Sequence, residues 1–228
     1  MNNVAIVLGA GSGTRMKSDK NKMLLDIMGQ TVIERSVEAF LDIPEIQEII
    51  VTVKEEDLDQ FVDLFEDLRV SFVIGGATRQ QSVKNAVDMI DEADLLIIHD
   101  GARPFIRRED ILKTIRAAKM YGAAAVGVPV KDTIKVVDND CCVTDTPDRS
   151  TLFAVQTPQI FDFDLYKKAL KKAEQSQTDF TDDCQIIEFS GGKVKMVEGD
   201  YSNIKITTPD DIAVAENILL QRIRKGSL

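Results

Sequence analysis

The feature that most constrains the fold of this chain is an apolar segment near the N-terminus that ends in a run of glycines. Residues 4–8 read Val-Ala-Ile-Val-Leu, and residues 9–16 read Gly-Ala-Gly-Ser-Gly-Thr-Arg-Met. A short, fully apolar run is typical of a strand that is buried on both faces of a sheet. The glycines allow a tight turn whose free backbone N–H groups form an anion-binding concavity. Because Arg15 and Lys22 add two positive charges, the segment suits a phosphate group.

Three interpretations of this glycine loop stay open on its own residues. It is an ordinary turn between a strand and a helix, a dinucleotide-binding loop, or a triphosphate loop of the nucleotidyltransferase type. The dinucleotide pattern G-x-G-x-x-G is met at Gly9 and Gly11, but Thr14 stands at its third glycine position, and no Gly-Lys-Ser/Thr closes a Walker loop. The nucleotidyltransferase interpretation fits every position, since Lys22 follows the turn and precedes two leucines.

Strand and helix patterns alternate along the rest of the chain. After the strand at 4–8, strands are predicted over 46–53, 70–74, 123–128 and 193–198, with another that ends at Asp100. Helices are predicted over 55–68, 108–121, 163–175 and from 209 to about 224. Such alternation predicts an α/β fold with a mostly parallel sheet and helices on both faces. The length of 228 residues suits one domain spanning 1–228.

Several helix starts are also readable from capping residues. Thr31 with Glu34 three residues later matches a capping box. Thr181 is expected to cap a short helix that ends near Phe189, and Thr208 is expected to cap the last helix, with Pro209 at its first position.

Two further segments are expected at the carboxyl edge of the sheet, where open α/β sheets bind ligands. The first is Gly75-Gly76 with Ser82 on the following helix, which is either a plain turn or a second wall of a nucleotide site. The second is Asp100, which ends an apolar strand and is well placed to hold Mg²⁺ against a triphosphate. His99 is interpreted as a packed core residue rather than a base, and Arg103 as a partner of a phosphate or a local acid.

An arm interrupts the α/β alternation between about residues 132 and 154. Residues 130–137 and 143–146 alternate in polarity around the turn Asp138-Asn139-Asp140, which predicts a β-hairpin. A two-stranded ribbon is marginal by itself. We therefore expect this β-arm, residues 132–154, to lie on a second copy of the protein.

The amino-acid composition limits which partners the protein is expected to bind and in which compartment it is expected to lie. The formal charge is −10, which disfavours nucleic acid as a partner, since phosphate backbones recruit basic surfaces. No apolar run approaches transmembrane length, and no secretory signal segment is recognisable. Three cysteines, two of them adjacent, are expected to be free thiols, which favours a cytoplasmic protein.

Taken together, the motifs closely resemble those of the 2-C-methyl-D-erythritol 4-phosphate cytidylyltransferases of the non-mevalonate isoprenoid pathway. The matching stretches, in the family's order, are Gly-Ala-Gly-Ser-Gly-Thr-Arg-Met, Gly-Gly-x-x-Arg-x-x-Ser-Val, His-Asp-Gly-Ala-Arg-Pro, Val-Pro-Val-Lys-Asp-Thr-Ile-Lys, Gln-Thr-Pro-Gln, Thr-Asp-Asp and Val-Glu-Gly-x-x-x-Asn-Ile-Lys-Ile-Thr-x-Pro-Asp-Asp. The resemblance covers nearly the whole chain. It implies a Rossmann-like, nucleotide-diphospho-sugar transferase-like sheet with a dimerising arm.

The resemblance also implies an activity and a site. CTP and methylerythritol phosphate would give the CDP-alcohol and pyrophosphate with Mg²⁺, in a homodimer joined through the β-arm. The resemblance assigns catalytic roles to Arg15 and Lys22, the metal to Asp100, and nucleotide contacts to Ala10, Gly11, Gly13, Gly76, Ser82, Asp100 and Gly101. It assigns contacts with the second substrate to Arg103, Thr157, Thr181 and Lys205, and to Thr133 and Arg149 of the neighbouring subunit.

Two positions depart from the family pattern. Many members have Pro-Lys-Gln around the catalytic lysine, where this chain has Asn21-Lys22-Met23, and many place an acid after the glycine pair, where this chain has Ala77. Base selection would then rest more on backbone groups. The nearest alternative activity is that of a ribitol 5-phosphate cytidylyltransferase, and a different class is an inactive nucleotide-binding regulatory protein. Joint retention of Arg15, Lys22, Asp100 and Lys205 argues against the latter.

Overall fold

Strands and helices alternate along most of the chain, in a computed structural model that describes residues 2–11, 21–65, 69–176, 178 and 180–226. The strands are β1 (Asn3–Leu8), β2 (Asp26–Ile27), β3 (Gln30–Thr31), β4 (Glu48–Val53), β5 (Val70–Ile74), β6 (Leu95–Asp100), β7 (Ala123–Pro129), β8 (Val136–Val137), β9 (Val143–Asp145), β10 (Phe153–Asp162) and β11 (Lys195–Glu198). The helices are α1 (Val32–Leu41), α2 (Leu58–Leu64), α3 (Arg79–Val87), α4 (Arg108–Tyr121), α5 (Phe163–Gln175), α6 (Asp183–Phe189) and α7 (Asp210–Arg224). Short 3₁₀ turns cover Lys22–Leu24, Glu55–Asp57 and Arg149–Thr151.

Seven of these strands form one central sheet in the order β11-β7-β10-β6-β1-β4-β5. The neighbouring pairs are parallel except for β10, which runs antiparallel to both β6 and β7. The predicted α/β class with a mostly parallel sheet is therefore confirmed. The register pairs Leu8 of β1 with Asp100 of β6 and with Thr52 of β4, so the carboxyl ends of these three strands lie at one edge.

Helices cover both faces of the sheet, as the alternation predicts. On β1, Ala5 and Val7 belong to a core shared with α1, α2, α4 and α7, whereas Val4, Ile6 and Leu8 belong to a core shared with α3, α5 and α6. Successive side chains of a strand point to opposite faces, so a strand between two helical layers must be apolar at every position. This requirement explains the uninterrupted apolar sequence of β1.

The reversed strand β10 and the ribbon before it correspond to the predicted β-arm. The segment that leaves β7 contains the two-stranded ribbon β8–β9, and the chain then returns through β10 into the middle of the sheet. Phe153 and Ala154, predicted as the end of the β-arm, pair instead with β7. Sequence patterns did not foresee that the returning strand inserts between β6 and β7.

Three local predictions were wrong at the ends of helices. Asp182, not Thr181, caps α6, because its side chain accepts the hydrogen bond from Gln185 N. The last helix begins at Asp210, with Pro209 rather than Thr208 in the capping position. The helix expected over 55–68 is a 3₁₀ turn followed by α2, and residues 66–68 lie outside the described part. Within the described ranges, none of the helices has the length and apolarity needed to cross a membrane.

Candidate active site

A cavity of about 440 Å³ opens at the carboxyl edge of the sheet, beside the ends of β1, β4 and β6. Two loops form its walls, one after β1 and the other between β5 and α3. Its described lining residues are Leu8, Ala10, Gly11, Lys22, Met23, Thr52, Lys54, Gly76, Ala77, Thr78, Arg79, Ser82, Asp100, Ala102 and Lys205. Binding at this edge agrees with the position of ligand sites in open α/β sheets.

The two glycine-containing loops touch each other because Gly75 has no side chain. A Cβ atom on Gly75 would lie 2.4 Å from the Ala10 Cβ atom, closer than such atoms approach in real structures. The Ser82 hydroxyl then fixes the second loop, since it accepts a hydrogen bond from Gly76 N and donates one to the Thr78 carbonyl. Ser82 is 6% exposed. Its hydroxyl therefore shapes the wall of the cavity as well as lining it.

Lys22 reaches the same cavity from the 3₁₀ turn at Lys22–Leu24. The turn is anchored by Met23, which is buried in the hydrophobic core next to the cavity. Lys22 itself is 8% exposed. A lysine that is largely buried at the wall of a cavity places a positive charge where bulk water screens it little.

Asp100 is the centre of a charge network at the end of β6. Its Oδ2 atom accepts a hydrogen bond of 2.8 Å from Lys205 Nζ and lies 3.7 Å from Arg103 Nε. Its Oδ1 atom lies 3.5 Å from Arg79 Nε, and Arg79 in turn forms a 2.7 Å ion pair with the buried Asp183. Three cations thus surround one carboxylate.

The network keeps Asp100 ionised. Burial alone would raise the pKa of the Asp100 carboxyl, but the charges of Arg79 and Lys205 hold that pKa well below its usual range. Burial likewise opposes the charge of Arg79, yet Asp183 and Asp100 raise the pKa of its guanidinium. The Asp100 carboxylate and the Arg79 guanidinium are therefore both charged at neutral pH.

A series of hydrogen bonds links the backbone of Asp100 to Thr157 and, through Thr157, to His99. Asp100 N donates to Thr157 Oγ1, Thr157 Oγ1 lies 3.0 Å from His99 Nδ1, and His99 Nε2 lies 3.0 Å from the Arg103 carbonyl. Because a carbonyl only accepts, Nε2 carries the imidazole proton and Nδ1 accepts from Thr157. Burial lowers the pKa of His99 to about 4, so the imidazole is neutral. The prediction that His99 is a packed core residue is confirmed, since it is 0% exposed.

A second, smaller cavity of about 210 Å³ lies on the other side of Asp100. Its described lining residues are Arg79, Asp100, Arg103, Val155, Gln156, Thr157, Gln159, Thr181, Asp182 and Lys205. Arg79, Asp100 and Lys205 line both cavities. In the described part of the chain, the buried Nε atom of Arg103 has no hydrogen-bond partner. That atom faces Asp100 Oδ2 at 3.7 Å, so what the second cavity offers an anionic group is the positive charge of Arg79, Arg103 and Lys205 at its wall.

The structure brings most of the predicted site residues to these two cavities. Ala10, Gly11, Lys22, Gly76, Ser82 and Asp100 line the first, and Arg103, Thr157, Thr181 and Lys205 line the second. Gly101 is not among the described lining residues of either. A Cβ atom there would lie 2.7 Å from the Leu8 carbonyl, so Gly101 is needed for close backbone approach. Gly13 and Arg15 lie outside the described residues.

The two site residues predicted on the β-arm lie apart from this cluster. Neither Thr133 nor Arg149 is among the described residues that line the two cavities. Both are exposed, and Arg149 Nη1 donates to the carbonyl of Lys131, the residue directly before the β-arm. Their assignment to the neighbouring subunit's site stays a prediction.

Sequence reasoning missed three residues that shape the site. Arg79 bridges Asp100 to Asp183, Lys54 lines the first cavity, and the buried Asn203 holds the segment that carries Lys205 by donating to Gln156 Oε1 and the Thr157 carbonyl. Arg79 stands in the Gly-Gly-x-x-Arg pattern, and that signal could have identified it. Asn203 likewise stands in the Val-Glu-Gly-x-x-x-Asn pattern. Nothing local distinguishes Lys54, because its role depends on which strands become neighbours.

The donors at the first cavity meet the needs of Mg²⁺ only in part. Among the described residues, no cluster of three or more acidic, histidine or cysteine side chains could hold a metal by itself. Mg²⁺ at nucleotide sites usually takes one or two carboxylates and completes its shell with phosphate oxygens and water. Asp100 supplies an ionised carboxylate at the wall of the first cavity, and Mg²⁺ would have to replace one of the contacts that its oxygens make with Arg79 and Lys205.

A mostly parallel sheet, a glycine loop after its first strand and a cation-rich cavity with one carboxylate define a nucleotidyltransferase of the α/β class. A profile of the family described as 2-C-methyl-D-erythritol 4-phosphate cytidylyltransferase matches residues 3–221. The chain therefore belongs to that family.

Individual relatives agree with this family membership. The chain is 46% identical over 225 residues to the 2-C-methyl-D-erythritol 4-phosphate cytidylyltransferase of Caldanaerobacter subterraneus subsp. tengcongensis, covering 96% of this chain and 99% of that protein. It is similar to the crystal structure of 4-diphosphocytidyl-2C-methyl-D-erythritol synthase from Anaerococcus prevotii, with a TM-score of 0.87, 37% identity and 96% of each chain covered. The cytidylyltransferase structure from Thermus thermophilus gives a TM-score of 0.79 at 30% identity, over 95% of this chain and 98% of that one.

Proposed function

We propose that this protein transfers the cytidylyl group of CTP to 2-C-methyl-D-erythritol 4-phosphate, with release of pyrophosphate. A phosphate oxygen of the alcohol phosphate attacks the α-phosphorus of CTP, and the bond from that phosphorus to the bridging oxygen of the pyrophosphate breaks. Two anionic substrates must therefore lie side by side. The observation that carries the proposal is that two cavities meet at Arg79, Asp100 and Lys205.

The first cavity is the nucleotide site in this proposal. Ala10, Gly11 and Gly76 leave room for the backbone to approach the triphosphate, and Lys22 supplies positive charge at the wall. Arg15, from the same loop, would supply a second cation. Charge that is already in place when the crowded phosphorus centre forms stabilises the transition state without reorganisation.

The second cavity is the site for the alcohol phosphate. Arg103 lines this cavity with a positive charge, and Lys205 and Arg79 add charge at its boundary with the first cavity. Thr181 adds a hydroxyl at the rim. Since the substrate brings its own nucleophilic oxygen, the protein needs to supply only position and charge.

Mg²⁺ would be held by Asp100 in this proposal, and when bound it would neutralise charge on the triphosphate. The residues of the chain act around it: Arg79, Arg103 and Lys205 keep the Asp100 carboxylate ionised and oriented. Thr157 Oγ1 accepts a hydrogen bond from Asp100 N and so fixes the backbone at Asp100.

The β-arm completes the proposal as a dimerisation element. Its apolar side chains Val136, Val137 and Val143 are 45%, 49% and 58% exposed, and Phe153 is 36% exposed at its end. Exposed apolar surface on a thin ribbon favours burial against a second copy of the chain. Thr133 and Arg149 would then reach the site of the partner.

The test is pyrophosphate release by the purified protein with each of the four nucleoside triphosphates and a panel of alcohol phosphates. We expect CTP with methylerythritol phosphate to give the highest kcat/KM. Pyrophosphate release should depend on the acceptor, which separates transfer from hydrolysis.

Two results would contradict the proposal in different ways. A higher kcat/KM with ribitol 5-phosphate would assign the alternative transferase activity. Nucleotide binding by calorimetry without pyrophosphate release from any pair would indicate a regulatory nucleotide-binding protein instead.

A further inference from the structure

The turn that carries Lys22 is tied to the rest of the protein by the side chain of Asn21. The Asn21 Oδ1 atom accepts a hydrogen bond of 3.0 Å from Met23 N and so caps the 3₁₀ turn. The Asn21 Nδ2 atom donates a hydrogen bond of 2.6 Å to Asp57 Oδ2. One amide group therefore fixes both the start of the turn and its distance from the segment before α2.

The Asp57 side chain accepts the hydrogen bond from Asn21 and does not cap its own helix, α2. It stands directly before α2, where an acidic side chain commonly caps the first N–H groups, but it makes no side-chain capping bond. Asp57 is 8% exposed, and Phe61, one turn further along α2, is fully buried. A Cβ atom on Gly9 would lie 3.1 Å from the Phe61 ring. The same helix thus supports both the glycine turn and, through Asp57, the Lys22 turn.

The chemistry of the pair requires an amide at position 21. The residue must accept from Met23 N and donate to a carboxylate at once, and asparagine has one group for each task. An aspartate there could still accept from Met23 N, but it would face the Asp57 carboxylate at the same short distance. Two like charges in a partly buried contact repel each other.

We propose that Asn21 and Asp57 are a positioning pair that holds the Lys22 turn against α2, so that Lys22 stays at the wall of the nucleotide cavity. The inference rests on the role proposed for Lys22 in cytidylyl transfer. Neither residue of the pair lines the cavity among the described residues, so the pair acts through Lys22 rather than on the substrate.

Three variants test the pair through its hydrogen-bond polarity. Asn21→Asp should lower kcat by at least about tenfold, because a displacement of about 1 Å in a catalytic group is costly. Asp57→Asn should lower kcat only about two- to threefold, since an amide can still accept from Asn21 with a weaker bond. The double variant Asn21→Asp/Asp57→Asn restores one amide and one carboxylate, and its kcat should return to within about twofold of wild type. KM for CTP should stay nearly constant throughout.

The chain offers a matched control in the exposed Gln30–Glu38 pair. Gln30 Nε2 donates to Glu38 Oε1 at 2.6 Å, the same chemistry and length as the Asn21–Asp57 contact. Gln30→Glu creates an equivalent pair of carboxylates near α1 and should leave kcat unchanged. Thermal unfolding of all variants separates a general loss of stability from a loss of position.

Two further measurements test the inference, and the first of them does not depend on the turnover assay. Acylation of Lys22 by an amine reagent, followed by peptide mass spectrometry without substrates, should accelerate in Asn21→Asp and return to the wild-type rate in the double variant. In a Lys22→Ala background, Asn21→Asp should cause no further loss of kcat, because it acts through Lys22.

The results distinguish this inference from the proposed function. Wild-type turnover in Lys22→Ala would remove Lys22 from the mechanism, while the labelling rates would still decide whether the pair holds it. Unchanged labelling in Asn21→Asp, absence of recovery in the double variant, or an additional loss in the Lys22→Ala background would each overturn the positioning pair.

Discussion

The edge of the sheet and the β-arm differ in how their side chains are accommodated within one chain. At the edge, buried charges meet partners from distant segments, as Asp100 does with Lys205, 105 residues further along. On the β-arm, apolar side chains such as Val143 are more than half exposed. The described charges at the edge are paired within a single chain, whereas the apolar side chains of the β-arm are exposed in it, which favours the proposed dimer. A variant should therefore act locally at the edge but across subunits on the β-arm.

The largest expected effect lies at the edge and concerns Lys22. Lys22→Ala should lower kcat by at least about 150-fold, corresponding to about 3 kcal/mol, because a fixed charge stabilises the transition state more than bound CTP. Steady-state kinetics and CTP binding by calorimetry check both parts. Lys171→Ala, on the exposed face of α5, is the control for loss of a lysine and should turn over normally. Near-normal turnover in Lys22→Ala would exclude it from catalysis.

Mixing a variant at the edge of the sheet with a variant on the β-arm tests the comparison of these two regions most directly. Lys22→Ala and Arg149→Ala homodimers should both be nearly inactive. If the β-arm reaches the partner's site, a mixed dimer contains one intact site and one with both lesions. Random pairing then restores roughly a quarter of wild-type activity, since half of the dimers are mixed and each has one intact site.

Subunit exchange is verified by native mass spectrometry of differently tagged chains. Each variant incubated with itself is the matched control and should stay inactive. A mixture that remains inactive despite demonstrated exchange would show that the β-arm serves its own subunit.

A smaller effect is expected from the carboxylate at the edge. Asp100→Asn should raise the Mg²⁺ concentration required for half-maximal turnover by about tenfold or more, because an amide is a weaker ligand than a carboxylate. Asp110→Asn is the matched control, since Asp110 is also buried and ion-paired, at 2.7 Å from Arg107, but lies away from both cavities. A metal titration that is the same for wild type and Asp100→Asn would contradict the assignment.

The remaining expected effect concerns the free energy of unfolding and not turnover. Burial lowers the pKa of His99 from 6.5 to about 4, so between these values the unfolded chain binds a proton that the native protein excludes. Stability should therefore fall as the pH decreases from about 6.5 to 4, by about 3 kcal/mol from this residue. The sequence contains one histidine, so its imidazole signal in NMR spectra is unambiguous. A titration midpoint near 6.5 would show that the imidazole is accessible to water.

The sequence by itself determined the elements whose signals are local. The apolar run of β1 predicted a doubly covered strand, and Thr31 with Glu34 forms the predicted capping box. Helices α4 and α5 and strand β5 have the predicted bounds, since their periodic patterns and end signals lie within a few neighbouring residues. The glycine loop and Asp100 could be assigned to one edge because the carboxyl ends of parallel strands meet there.

The tertiary structure alone decided which polar side chains form hydrogen bonds and ion pairs with one another. Asp182 outcompetes Thr181 as the cap of α6, and Gln159 on the reversed strand β10 supports it by donating to Asp182 and accepting from Asp183 N. The ion pairs of Arg79 with Asp100 and Asp183 form only because separate segments pack together. The same is true of the hydrogen bond from Asn21 to Asp57. A buried polar group takes whatever partner the fold brings within reach, and hydrogen-bond reach in space is not encoded in spacing along the chain.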